Sequence, residues 1–143
     1  MSDLRRFLKE LELRGELRKI EGLASVDFQI SRFIKKFDGE ALLFKKVKGF
    51  TSKVVAGVCG SRRKICLALK VPESGLHRKI LNSLTSPSKP KIVEEAAVKE
   101  ESEPPKLSKL PILRHYEKDG GRYITSAIIA AKDPEGKENV SIH

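Results

Sequence analysis

The chain has no tryptophan, two cysteines, one methionine and only 6% aromatic residues among its 143. Aliphatic side chains must therefore supply most of any core, at about 25 cal/mol per Å2 of apolar surface removed from water. No apolar run approaches the roughly 20 residues of a membrane-spanning helix. The start, Met1-Ser2-Asp3-Leu4-Arg5-Arg6-Phe7, is charged and already periodic. It reads as a helix rather than a secretory signal, and the cytoplasm is the expected compartment. Basic tails and blocks of five like charges are also missing, although the net charge is +10. A surplus of that size suits a nucleic-acid binder. Here, however, Lys and Arg are scattered over the polar faces of candidate helices, and the tightest clusters are Lys45-Lys46-Val47-Lys48 and Arg62-Arg63-Lys64. Scattered cations read as solvated faces, so nucleic acid is not the expected partner.

Cys59 and Cys66 stand seven apart, which is neither CxxC nor a zinc spacing. Cys59 lies in the apolar run Val54-Val55-Ala56-Gly57-Val58 and Cys66 beside Ile65 and Leu67, so both read as buried free thiols.

What is present is an alternation of helical and strand patterns. Ser2 is a candidate N-cap. Leu4, Phe7, Leu8 and Leu11 then repeat at helical spacing, and Gly15 ends the run. Leu17 and Ile20 mark a short strand. A second helix follows Ser25, carrying Val26, Ile30, Phe33, Ile34 and Phe37 up to Gly39. Ala41 to Phe44 and the Val-rich run Val54 to Val58 read as strands. Gly60-Ser61 opens a helix that Pro72 stops, and Leu76, Ile80, Leu81 and Leu84 mark another. The pattern predicts a small α/β unit with helices covering a sheet. A Gly-Ser turn before Arg62-Arg63 could hold a phosphate at a helix N-terminus, but it lacks P-loop spacing, and a capped helix with solvent-facing arginines is the stronger reading.

Composition shifts at Glu94 to Pro105, where five glutamates face one lysine and Pro104-Pro105 closes the segment. Such a stretch cannot bury enough apolar surface to pack, and it reads as an exposed, mobile connector. The division expected is therefore 1–93, an α/β domain; 94–105, a linker; and 106–143, the start of a second domain. In the last part Asp119-Gly120-Gly121 is a turn, Tyr123 to Ala131 is β-rich, and Asp133-Pro134-Glu135-Gly136 is a hairpin loop leading to a strand from Asn139 to His143. A lone hairpin is marginal in water, so these strands need partners.

Order and spacing in this region resemble the UbiD-type decarboxylases. The segments that carry the likeness are Leu110-Pro111-Ile112, Asp119-Gly120-Gly121-Arg122-Tyr123-Ile124-Thr125, Lys132-Asp133-Pro134-Glu135-Gly136 and Asn139-Val140-Ser141-Ile142-His143. Asp3-Leu4-Arg5-Arg6-Phe7-Leu8, Arg14-Gly15-Glu16-Leu17 and the Gly60-Ser61-Arg62-Arg63 turn extend it toward the amino end.

The resemblance implies a reversible, non-oxidative decarboxylation of an α,β-unsaturated or aromatic acid, with prenylated FMN, Mn2+ and K+ as cofactors. Polyprenyl-hydroxybenzoate and anhydromevalonate phosphate are the substrate types it suggests, linked to ubiquinone or isoprenoid synthesis. The fold implied is a small amino-terminal α/β domain followed by the first strands of a split β-barrel that binds the flavin. The asparagine at Asn139 would ligate the metal and the backbone at Val140 the monovalent cation. Val140, Ser141, Ile142 and His143 would line the cofactor, with the Ser141 hydroxyl toward its phosphate and Thr125 and Ser126 facing the same cavity. The family's catalytic arginine would follow His143, and its carboxylates and remaining metal ligands lie further on. No catalytic residue is thus expected within the chain. His77 and His115 have no partner spaced for a triad or metal site and read as surface or structural.

The partners expected are the remainder of the decarboxylase or a separate catalytic subunit, a flavin prenyltransferase as cofactor supplier, and further copies in a homo-oligomer. The competing class is a non-enzymatic basic α/β module that binds nucleic acid or docks on a catalytic chain. With the division at residue 105, removal of 106–143 is expected to leave the first domain's thermal transition nearly unchanged.

Overall fold

The computed structural model describes residues 3–142 apart from 90, 98, 99, 101 and 126. Ser2, expected as a cap, lies outside them. Asp3 caps α1 (Leu4–Leu13) instead, its carboxylate accepting from the Arg6 amide at 2.8 Å. Phe7 and Leu11, one turn apart, carry the buried face of α1. Gly15 turns the chain with φ +70°, a region that suits glycine after a helix.

β1 (Leu17–Ala24) runs twice as far as its two apolar residues suggest. Its register on β2 (Ala41–Val47) slips between Ile20 and Leu23, so one extra residue is accommodated there, and Ala24 returns to the core opposite Val47. β1 and β2 are parallel, joined through α2 (Gln29–Lys36); β3 (Val54–Ala56) pairs antiparallel on the other side of β2. The sheet order is β1-β2-β3. A parallel pair needs a long crossover, which α2 provides.

β2 is the centre of the unit. Leu42 and Phe44 are 1% and 0% exposed and pack with Ile30, Val26, Ala24 and Val47 under α2. Ala41 looks the other way, into a cluster with Phe7 and Leu11 that is completed by Leu67 and Ala68 of α3 (Arg62–Leu69). Helices thus cover both faces, which explains why β2 reads as an unbroken apolar run. Phe33 makes an edge contact with Phe44 at 5.8 Å between centroids and stacks on Phe37, so three of the few aromatics meet in one place.

Two readings are corrected here. β3 stops at Ala56, well short of Val58, because Gly57 swings to φ +67°. Cys59 is consequently exposed on the turn, while Cys66 is buried as expected. α4 (Leu76–Thr85), entered through a 3-10 turn at Glu73–Gly75, buries Leu76 alone; Ile80, Leu81 and Leu84 face solvent. Nearly all described residues of the 94–105 connector are exposed.

The chain then returns to the first unit. Leu113 packs against the α2 side of the core. The Arg114 amide donates to the Val26 carbonyl and the Phe28 amide to the Arg114 carbonyl, both at 3.0 Å, a one-residue parallel bridge. β4 (Ile128–Lys132) and β5 (Glu138–Ile142) form a separate antiparallel hairpin with Gly136 at φ +84° in its loop. The β-rich run from Tyr123 forms a strand only from Ile128, because Tyr123 is occupied in bonding back to Leu113.

Gly57 is the glycine this fold can least change. A Cβ there would sit 2.0 Å from the Glu40 carbonyl oxygen, at a positive φ. Gly57→Ala is expected to lower unfolding free energy by at least about 2 kcal/mol in urea denaturation. Gly121→Ala, with open space around it and no positive φ, should stay within about 0.5 kcal/mol.

Candidate functional site

Residues 112–123 form a strap whose geometry is fixed by two carboxylates. Asp27 takes a two-pronged pair from Arg122, Nε to Oδ1 at 3.1 Å and Nη2 to Oδ2 at 2.9 Å. Such fork-to-fork pairs set orientation as well as adding attraction. Asp119 accepts from the amides of His115 and Tyr116 at 3.2 and 2.8 Å, which closes a turn just ahead of the expected Asp119-Gly120-Gly121 turn. Arg114 reaches over the Phe28 ring, 5.4 Å from its centroid, and donates to the carbonyls of Glu117 and Asp119. His115 sits 3.4 Å from the Ser31 hydroxyl and 5.1 Å from the Tyr123 ring, a structural placement; His77 is exposed on α4.

The strap leads into the hairpin, where the residues expected to hold cofactor lie. Register places Asn139 opposite Ala131, Val140 opposite Ala130, Ser141 opposite Ile129 and Ile142 opposite Ile128. Alternation puts Asn139 and Ser141 on one face of β5 and Val140 and Ile142 on the other. The second face is apolar apart from the Lys132–Glu138 ion pair of 2.8 Å at its loop end. The first combines a side-chain amide and a hydroxyl with the small Ala131 and the larger, exposed Ile129. Asp133 fixes the loop beside it, its carboxylate accepting from the Lys137 amide at 2.7 Å. Thr125 is exposed in the turn before β4; Ser126 and His143 lie outside the described residues.

An amide and a hydroxyl suit a hard cation and a phosphate, so this face fits one wall of such a site. It does not fit a whole one. A cation such as Mn2+ wants about six donors, and among the described residues no three His, Cys, Asp or Glu converge.

The Gly60-Ser61-Arg62-Arg63 turn resolves as a cap. Ser61 accepts from the Lys64 amide at 3.3 Å. Arg63 pairs with both oxygens of Glu16 at 2.9 and 2.7 Å, and Arg62 donates to the Glu73 carbonyl at 3.2 Å. Both arginines are thus engaged within the chain rather than simply turned to solvent. Beside them Arg18 stacks over Phe37 and pairs with Glu40 at 2.7 Å. Ion pairs at Arg14–Glu10, Lys19–Glu12, Lys45–Glu21 and Arg122–Asp27 likewise disperse the positive surplus.

With this geometry in view, two family profiles match in tandem. Residues 8–84 match the 3-octaprenyl-4-hydroxybenzoate carboxy-lyase N-terminal domain, and residues 88–143 the Rift-related domain of the same carboxy-lyase. The chain belongs to the UbiD family. It is 38% identical over 141 residues to the anhydromevalonate phosphate decarboxylase of Methanosarcina mazei, covering 97% of this chain and 32% of that protein. With the enzyme of the same name from Methanothermobacter thermautotrophicus the figures are 32% identity, 98% and 33%. This UbiD-family chain therefore spans about a third of the length of the curated relatives it matches.

Among solved structures it superposes on an evolved dimeric form of the UbiD-class enzyme HmfF from Pelotomaculum thermopropionicum, in complex with prFMN. The TM-score is 0.88 at 38% identity, covering all of this chain and 35% of that one. The vanillic acid decarboxylase of Sedimentibacter hydroxybenzoicus in open form gives a TM-score of 0.80 at 30% identity, covering 99% and 35%. No helix among the described residues is long and apolar enough to cross a membrane.

Asp27 and Phe28 were not singled out by the sequence. Their partners, Arg122 and Arg114, lie far along the chain, and an aspartate read as part of the helix after Ser25, which in fact starts only at Gln29, carries no local signal of such a pairing.

The Arg18–Glu40 pair makes a pH prediction. The hydrogen bond from Arg18, assisted by the charges of Arg18 and Lys64, holds the Glu40 carboxyl below its ordinary 4.5. A carboxylate depressed in the folded state stabilises it above the unfolded value, and that contribution is lost as pH falls from about 4.5 through the folded value. Arg18→Gln is expected to lower the thermal midpoint more at pH 7 than near pH 2, where only its contact with the Phe37 ring is lost, measured by circular dichroism.

Proposed function

We propose that this chain is the amino-terminal part of a UbiD-type carboxy-lyase that releases CO2 reversibly from an α,β-unsaturated or aromatic acid in the cytoplasm. Residues 1–93 form its α/β domain, 94–105 the linker, and 106–143 the first strands of a split β-barrel. The observation that carries the reading is the register of β5, which sets Asn139 and Ser141 on one face, across from Ala131 and Ile129. The same register sits within a chain that overlays a prFMN-containing enzyme along its whole length.

In this reading Asn139 offers its amide oxygen to Mn2+, and the Val140 backbone contributes to the metal and K+ positions. Ser141 would donate toward the flavin phosphate, and Ile142 and the His143 backbone would line the cofactor. Thr125 would face the same cavity, as would Ser126, which lies outside the described residues. Prenylated FMN, when bound, supplies the reactive centre; the chain's own residues orient it and help to exclude water. The remaining ligands and the acid-base groups come from further residues of the same polypeptide or from a separate catalytic subunit. A flavin prenyltransferase supplies the cofactor, and the assembled enzyme is a homo-oligomer. Support for the substrate class comes from relatives that act on anhydromevalonate phosphate and on vanillic acid. Polyprenyl-hydroxybenzoate belongs to the same chemical class.

A chimera tests this. The chain replaces the matched third of the Methanosarcina mazei enzyme, and the product is loaded with the flavin and Mn2+. The expected result is a folded protein that co-elutes with flavin absorbance and releases CO2, whereas the 143-residue chain alone does neither. Asn139→Ala in the chimera should weaken Mn2+ binding by about ten- to a hundredfold, the range for disturbed metal sites. Unchanged Mn2+ affinity in a folded Asn139→Ala chimera would remove Asn139 from the site. Flavin retained by the isolated chain would show that the wall is a complete site.

A further inference from the structure

A second cleft lies away from the hairpin, between α2 and the strap. No residue of β4 or β5 lines it, and the proposed decarboxylation makes no use of it. Phe28 and Tyr116 present rings to it, while Arg32, Lys35 and Lys118 bring three positive charges against one carboxylate, Glu117. Its volume of about 450 Å3 falls in the range of small-ligand sites.

Three observations converge on this cleft. The first is the charge balance. Arg32 and Glu117 stand 4.0 Å apart with both side chains largely in solvent, so their pairing is weak. Among the described residues Lys35 and Lys118 have no ion pair. The lining therefore keeps positive charge available for an anion.

The second is Phe28, a bulky residue held at φ +65°. Side chains with a Cβ avoid that region, and strain of this kind gathers at ligand sites when neighbours enforce it. Here the enforcing contacts are the hydrogen bond that the Phe28 amide donates to the Arg114 carbonyl and the Arg114 guanidinium over the ring. The third is the wall opposite α2, where Ser31 and the Tyr123 ring hold the His115 imidazole in place. The cleft is therefore fixed on both sides by contacts internal to the chain.

The other basic clusters lack this combination. Around the start of α3 the arginines are already matched, Arg63 to Glu16 and Arg18 to Glu40.

We propose that this cleft binds a planar organic anion, with its ring between Phe28 and Tyr116 and its phosphate or carboxylate among Arg32, Lys35 and Lys118. The site is independent of the hairpin, so it stands or falls separately from the decarboxylase reading.

The test uses the full chain labelled with 15N and titrated with phenyl phosphate. Benzoate, inorganic phosphate and phenol form parallel arms. Saturable amide shifts are expected in residues 28–35 and 115–118, while the amides of 128–142 stay still. Benzoate against phenyl phosphate decides which anionic group is preferred. Inorganic phosphate and phenol, each carrying half of the recognition, should bind at least tenfold more weakly than the better aryl anion. Lys35→Ala combined with Lys118→Ala, both solvent-facing changes, should weaken that anion at least tenfold and leave the remaining spectrum in place. The proposal is overturned if neither aryl anion gives saturable shifts by millimolar concentration, if inorganic phosphate binds as well, or if the double variant responds like the parent.

Discussion

Asp27 sits between β1 and α2, and it fastens the carboxyl end of the chain to the amino end. Its backbone lies beside Arg114 in the parallel bridge, and its carboxylate takes both prongs of Arg122, 95 residues away. Both contacts depend on β2. Leu42 and Phe44 pin α2 and the end of β1 in place, so the stretch from Ala24 to Ile30 is held between two buried anchors. The strap docks on that stretch. The hairpin, whose strands bury almost nothing themselves, takes its base from the strap. An isolated hairpin would be marginal; this one is tethered to a packed unit.

This order of dependence fits the functional reading. The residues assigned to cofactor lie on the least buried element of the chain, where a further chain segment or subunit can complete the site. Exposed apolar residues on one face of the hairpin, Ile128, Val140 and Ile142, mark the side that needs covering, since open strand edges invite strand pairing. Exposed Ile80, Leu81 and Leu84 of α4 form a second uncovered face. Both are consistent with a chain that spans a third of its relatives' length.

Much of the α/β unit was legible because its signals are local. Helical spacing in Leu4 to Leu11 located α1, Gly15 and Gly39 marked real turns at positive φ, and Asp133 to Gly136 gave the hairpin loop. Local signals fail where tertiary pairing decides. β1 extends past Ile20 because β2 offers a partner beyond the slip, and Val58 leaves the sheet because Gly57 must pass the Glu40 carbonyl. The strap was invisible for the same reason: its partners on the α2 side have no sequence proximity. At the site, the hairpin and its loop were readable from turn chemistry, whereas its register came from the structure and the roles of Asn139 and Ser141 only through family resemblance.

The strap's attachment is tested most directly by deleting residues 106–143 and comparing urea unfolding of the remainder with that of the full chain. The deletion removes Leu113 from the core, together with the Arg114 bridge and the Arg122–Asp27 pair. Burial of part of one leucine and two backbone hydrogen bonds together contribute about 2 kcal/mol. The account predicts a loss of that size, in place of the nearly unchanged transition expected from a division at residue 105, with faster amide exchange at Val26 to Phe28. An unchanged unfolding midpoint and unchanged exchange at those amides would contradict it, and would make the two parts independent across the 94–105 connector.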